Sequence, residues 1–176
     1  MKLEKRNNKE LLLYLARTVA GQQLSTKAAG TIWQRVVSKS LEHSDSLEDF
    51  IDHANFDAIH SCGLSKFKTR AIVELKEAFN NGLICPNRLA AGTHESIRDE
   101  ITSLWGFGPW SADMVAISFF AMPNVWSDSD ASLNRGIGIL EDKCNTNSNE
   151  LIAACNPHRS YLAKHVWLGL DSGKLG

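Results

Sequence analysis

The stretch from Leu104 to Met114 restricts this chain more than any other, because it reads Leu-Trp-Gly-Phe-Gly-Pro-Trp-Ser-Ala-Asp-Met. An amphipathic run ends at Leu104, glycines follow at 106 and 108, and Pro109 takes the favoured first position of a new apolar helix. Two helices joined by so short a turn make a helix-hairpin-helix. Glycine at 106 and 108 allows positive φ and close approach of a partner. The amides that open the second helix present unpaired donors and a positive dipole end, which suit a phosphate. An ordinary αα-corner would carry the same two glycines, so the turn alone leaves both readings open.

The rest of the chain has helical rather than alternating periodicity. Leu11, Leu12, Leu15 and Val19 lie on one face from Lys9 to Ala20, and Gly21 marks the stop. Ser25 caps the next helix, whose inner face holds Ala28, Ala29, Ile32, Trp33, Val36 and Val37. Short helices are expected from Ser46, where Asp49 completes a weak capping box, and from Asn55 to Ser61. Ser65 caps a longer helix that ends at Asn81-Gly82, and Cys85 to Gly92 reads as a connector. Ile97, Ile101 and Leu104 line the first hairpin helix from Thr93. The second, Pro109 to about Phe120, is apolar nearly all round and should be the buried central helix. Helices over Asp130–Leu140, Glu150–Cys155 and Ser160–Leu170 complete an all-α chain with no convincing strand, repeat or low-complexity tract.

Composition bounds the function without naming it. With 176 residues, 43% of them hydrophobic, the chain can bury a core as one globular unit or as two small helical lobes sharing a cleft. A formal net charge of −1 excludes nucleic-acid binding by bulk positive charge, so any DNA contact must come from helix ends and a local patch. Cys62, Cys85, Cys144 and Cys155 stand at irregular spacing without a signal peptide, which predicts reduced thiols in an intracellular protein, cytoplasmic (nucleoid) if bacterial. No apolar run approaches the ~20 residues that cross a bilayer, so no membrane partner is expected.

Downstream of the hairpin, Trp126-Ser127-Asp128-Ser129-Asp130-Ala131-Ser132-Leu133-Asn134-Arg135-Gly136 is a polar loop opening onto a helix. Together with Gly106 to Pro109 it resembles the helix-hairpin-helix (HhH-GPD) superfamily of DNA glycosylases, in which the hairpin and a buried helix lead to a catalytic aspartate. In that pattern Leu follows the aspartate three residues on, and a basic residue and Gly come next. Only Asp130, not Asp128, has the right spacing to Leu133 and Arg135-Gly136. Read without the family, an Asp before a helix is an N-cap, and the two roles are compatible.

Gly21-Gln22-Gln23-Leu24-Ser25 resembles the alkyladenine (3-methyladenine) branch of the superfamily, where the residue matching Gln23 is the wedge that fills the gap left by a flipped nucleotide, with Leu24 beside it. A polar pair on a helix-to-helix turn otherwise just satisfies loop backbone. Cys62 to Lys68 resembles the second DNA-facing loop of that branch, which implies backbone contacts from Ser65, Lys66 and Lys68 beside those of Gly106, Gly108 and Trp110. Two lysines opening a helix otherwise form a solvated face. The closing helix, with His165-Val166-Trp167, resembles the one whose tryptophan walls the base pocket. Trp110, Trp167 and, more weakly, Trp126 are the pocket candidates, and Met114 stands where the branch carries a tyrosine, which implies an altered lesion preference.

The resemblance implies a two-lobed all-α fold. One lobe spans about 25–130 with the hairpin at 94–120, the N-terminal helix plus 130–176 form the other, and the active-site cleft lies between them. It lacks the β-rich N-terminal domain of the larger relatives and reads as a minimal version. The implied activity is flipping of an alkylated purine such as 3-methyladenine in double-stranded DNA and hydrolysis of its N-glycosidic bond. A non-catalytic binder of damaged or bent DNA is the alternative. Superfamily members that also cut the strand use a lysine two residues after the second hairpin glycine; that residue is Trp110, so no lyase activity is expected. The expected enzyme is a monomer without required cofactors. It lacks the four closely spaced C-terminal cysteines that hold an iron-sulfur cluster, and a structural Na+ or K+ is expected among hairpin carbonyls 104–108.

Overall fold

The computed structural model describes residues 2–175. Their regular structure is helical, with no strand among the described residues. A one-turn 3-10 segment (Asn8–Glu10) leads into α1 (Leu11–Gly21), followed by α2 (Thr26–His43) and α3 (Leu47–Phe50). A second 3-10 turn (His53–Asn55) precedes α4 (Phe56–Ser61), α5 (Lys66–Asn80) and α6 (Pro86–Ala91). The hairpin helices are α7 (His94–Thr102) and α8 (Pro109–Ser118), and α9 (Ala131–Cys144), α10 (Ser148–Ala154) and α11 (Arg159–Asp171) close the chain.

The starts of these helices obey the expected cap chemistry. Ser25, Ser46, Ser65, Thr93 and Asp130 each accept a backbone amide from the first turn of the helix they precede, and each such cap stabilises by ~1 kcal/mol. Three elements differ from the sequence reading. Cys85–Gly92 contains α6, because Pro86 occupies a first-turn position where its missing N–H costs nothing. The helix after Asp130 runs on to Cys144, where Asn145 takes the left-handed conformation that ends it. The central helix stops at Ser118 rather than Phe120.

The described chain divides into two compact units, residues 7–111 and residues 2–6 with 112–175, and the division falls inside α8. In the first unit α1 packs on α5 and α2, and α5 on α4. Leu11, Leu15, Ala16, Val19, Ile59, Ala71, Ile72 and Leu75 are fully or almost fully buried. Each large side chain among them contributes ~1.5–3 kcal/mol by leaving water. The sequence reading placed the N-terminal helix with residues 130–176. Its apolar face is instead used by α1's packing on α2 and α5, and only the segment up to Arg6 clusters with the C-terminal part, where the Arg6 amide donates to the Phe119 carbonyl at 2.9 Å.

In the second unit α9 packs on α11 and α10 around Leu133, Ile137, Ala163 and Val166. Gly136 makes the close crossing available: a Cβ there would lie 2.3 Å from Val166 Cγ1. The glycine of the Arg135-Gly136 pair is therefore a packing residue. The segment 112–130 belongs to this unit too, since the buried Ser160 hydroxyl accepts the Val125 amide at 2.9 Å and donates to its carbonyl at 3.1 Å.

Candidate DNA-contacting hairpin and catalytic aspartate

The hairpin turn is built from Ser103 to Gly108. The Phe107 amide donates to the Leu104 carbonyl at 3.2 Å, which folds the chain back, and Gly106 stands at φ +85°, where an L side chain is strained. A Cβ at Gly106 would also come within 2.5 Å of Ala71 Cβ, so the turn sits directly against α5. Gly108 behaves differently from the expectation of positive φ. It is not left-handed, and a Cβ there would meet nothing within 4 Å. Its value is the open space it leaves in front of the α8 N-terminus, where the helix dipole favours an anion. Beside it, exposed Trp105 packs on Phe67 with ring centroids 4.3 Å apart and under the Arg70 guanidinium at 4.2 Å; Arg70 in turn pairs with Glu74 at 2.6 Å.

The turn between α1 and α2 holds Gln23 and Leu24, the residues expected to form the wedge. Gln23 is exposed at φ +56°, a conformation that costs a non-glycine residue ~1–2 kcal/mol, and Leu24 is 41% exposed. Gln22, its neighbour, turns the other way: Nε2 donates to the Gly106 carbonyl and to Ser111 Oγ, both at 3.2 Å. Ser65 caps α5 by accepting the Lys68 amide at 3.3 Å, and Lys66 is exposed. Lys68 corrects the sequence reading. Its ammonium does not face outward to phosphate but donates to the carbonyls of Ala20 at 3.0 Å and Gln22 at 2.7 Å, the unsatisfied C-terminal end of α1. Burial lowers its pKa.

Asp130 is the N-cap of α9 and only 7% exposed. Its Oδ1 accepts the Leu133 amide at 2.7 Å and the Trp167 indole N–H at 3.3 Å. Leu133 of the motif and Trp167 of the closing helix thus meet on one carboxylate oxygen. Trp167 is half-buried and packs, as Met114 does, against the cluster of Ala116, Ile117 and Val125. Asp128, by contrast, is exposed, and its carbonyl accepts the Asn134 side chain at 2.8 Å. Trp126 corrects a second expectation: it is 7% exposed within the core of Leu133, Ile137, Ala163 and Val166, so it supports the fold rather than walling a pocket. Trp110 is half-buried in the first turn of α8, in the other unit.

Sequence reasoning missed Gln22, which closes the hairpin from behind, and Asp113. This buried aspartate on α8 accepts the Ser127 hydroxyl at 2.8 Å and so anchors the loop that delivers Asp130. A carboxylate on a helix otherwise apolar all round was the available signal. Among the described residues no group of three or more His, Cys, Asp or Glu side chains could hold a metal ion.

The hairpin thus leaves open space before the α8 N-terminus, Gln23 and Leu24 are exposed on the turn between α1 and α2, and a buried aspartate caps the helix after the hairpin. No family model matches the chain. The DNA-3-methyladenine glycosylase of Saccharomyces cerevisiae is 33% identical over 142 residues, 76% of this chain and 48% of that protein. DNA-3-methyladenine glycosylase 1 of Schizosaccharomyces pombe is 29% identical over 158 residues, 87% of this chain and 69% of that protein. The structure of the Schizosaccharomyces pombe 3-methyladenine DNA glycosylase in complex with abasic DNA superposes with a TM-score of 0.76 at 26% identity, covering 94% of this chain and 81% of that one. The chain is thus a homologue, in sequence and in fold, of proteins named as 3-methyladenine DNA glycosylases.

Proposed function

We propose that the protein is a monofunctional base-excision-repair glycosylase that flips an alkylated purine, such as 3-methyladenine, from duplex DNA and hydrolyses its N-glycosidic bond, leaving an abasic site in an intact strand. The observation that carries this reading is the seating of Asp130. Rupture of the bond builds positive charge on the sugar, and a carboxylate held in place stabilises it and orients the attacking water. With Oδ1 fixed by Leu133 and Trp167, the group needs no reorganisation when that charge develops. An alkylated purine is already cationic, so its departure needs little acid help, and the indole of Trp167, beside Met114, selects it by stacking and cation-π attraction. Gln23 and Leu24 fill the space the base vacates, while the α8 N-terminus, Ser65 and Lys66 hold the backbone.

Strand cleavage is not part of the activity, because Trp110 replaces the lysine that would attack the sugar. A monovalent cation would take its ligands from the hairpin carbonyls 104–108, of which that of Leu104 accepts the Phe107 amide and that of Gly106 the Gln22 side chain, each oxygen carrying two lone pairs. There it would add positive charge beside the phosphate seat. The chain works as a monomer on one lesion at a time. The decisive experiment incubates the protein with a panel of single-lesion duplexes and identifies any base set free. Release of N-alkylated purines, with strands breaking only after alkali, is expected; tight binding of damaged duplex with no base released would make the protein a non-catalytic binder instead.

A further inference from the structure

Behind the wedge turn, two side chains tie together three segments that are far apart in sequence. Lys68, on α5, donates to the carbonyls of Ala20 and Gln22 at the end of α1. Gln22 carries the connection onward, since its side-chain amide donates to the hairpin carbonyl of Gly106 and to Ser111 Oγ on α8. Both ends of Gln22, main-chain carbonyl and side-chain amide, are thereby fixed, while Gln23, the next residue, is exposed in the left-handed region. Such a backbone conformation persists only where its surroundings over-determine it. Here the surroundings are a cation placed on the negative end of α1 and an amide bridging to the hairpin.

A lysine used for phosphate contact keeps its ammonium in solvent, whereas this one is drawn inward far enough for burial to lower its pKa. Resting on the glycosylase reading above, we propose that Lys68 is a positioning residue which, through Gln22, holds the 22–24 wedge turn outward and in fixed register with the 104–108 hairpin. The two DNA-facing segments then act as one rigid tool during base extrusion. Flexibility in this tie would be felt where the wedge has to break stacking and pairing, and much less where the lesion is already unstacked.

The test compares Lys68→Met, Lys68→Arg and Gln22→Met in the full chain. Single-turnover base release is measured from a duplex with the lesion paired and from one with the same lesion in a single-nucleotide bulge. Lys68→Met is expected to slow the paired substrate by about tenfold or more and the bulged one by less than about threefold, with Lys68→Arg recovering most of the loss. Gln22→Met should show the same selective loss and supplies the answer should Lys68→Met not fold. Equal slowing on both substrates, or no slowing on either, overturns the proposal.

Amide exchange read by mass spectrometry gives a second, activity-independent arm. Loss of protection at 22–25 together with 104–108 in Lys68→Met supports the tie, and unchanged protection at 22–25 overturns it. Should the unmodified protein release no base from either duplex, the glycosylase reading fails, and this exchange arm alone decides the positioning role.

Discussion

Asp130 caps α9 and, in the function proposed above, also stabilises the developing sugar cation, and a pair of substitutions separates the two roles. Asparagine keeps an oxygen where Oδ1 now accepts the Leu133 amide at 2.7 Å and the Trp167 indole at 3.3 Å, so Asp130→Asn should leave the α9 cap in place. What it removes is charge. A carboxylate ~4 Å from a developing unit positive charge, at an effective dielectric constant of about 20, is worth about 4 kcal/mol, or roughly a thousandfold in rate. Asp130→Ala loses that and the cap as well. The cap contributes ~1 kcal/mol and the orphaned donors cost a further ~1–2 kcal/mol, which together should lower Tm by roughly 5–10 °C for a chain of this size. Single-turnover base release and a thermal melt on the same preparations read both quantities. The expected pattern is Asn with near-normal Tm and about a thousandfold loss of rate, and Ala with both lost. If Asp130→Asn stays within about tenfold of the unmodified rate, or if the two variants lose rate in proportion to Tm, the carboxylate is a helix cap and nothing more.

The hairpin glycines should fail in opposite ways. Gly106→Ala meets Ala71 at 2.5 Å in a left-handed backbone and is expected to cost about 2–5 kcal/mol in a denaturant titration. Gly108→Asp enters open space, so its midpoint should hardly move while duplex affinity drops by about tenfold in a binding titration. Borohydride trapping on a lesion duplex should give no covalent adduct; an adduct mapping to any lysine would overturn the monofunctional assignment. Timed alkylation followed by mass spectrometry should label exposed Cys144 well before Cys62, which is buried and whose thiol burial pushes up and keeps protonated; Cys62 labelling first would contradict its placement.

The hairpin was readable because its chemistry is local: two glycines and a proline determine the turn within a few residues of each other, and Ser25, Ser65, Thr93 and Asp130 announce helices by side chains that bond three residues on. Asp130 was readable from its spacing to Leu133. Where side chains act at long range the sequence was less forthcoming. Lys68 looks like any lysine opening a helix, and nothing nearby signals that its ammonium reaches Ala20 and Gln22. Trp126 opens the polar loop that leads to Asp130 and reads as a pocket aromatic, yet it packs with Val166 and Ala163, about forty positions away. Gly108 was given a φ that only Gly106 needs, since both glycines satisfy the pattern for different reasons.

The left-handed backbone at Gln23 sets evolutionary durability against usefulness. Glycine would relax that residue at no steric cost, so a screen that selects only for heat resistance would favour Gln23→Gly, and nothing in the fold opposes it. The resulting protein would survive higher temperatures while having lost the side chain proposed above to press into DNA. Retention of glutamine at that position by lineages under repair selection, and its drift to glycine or asparagine in lineages released from it, would be a historical record of use, legible in a single codon.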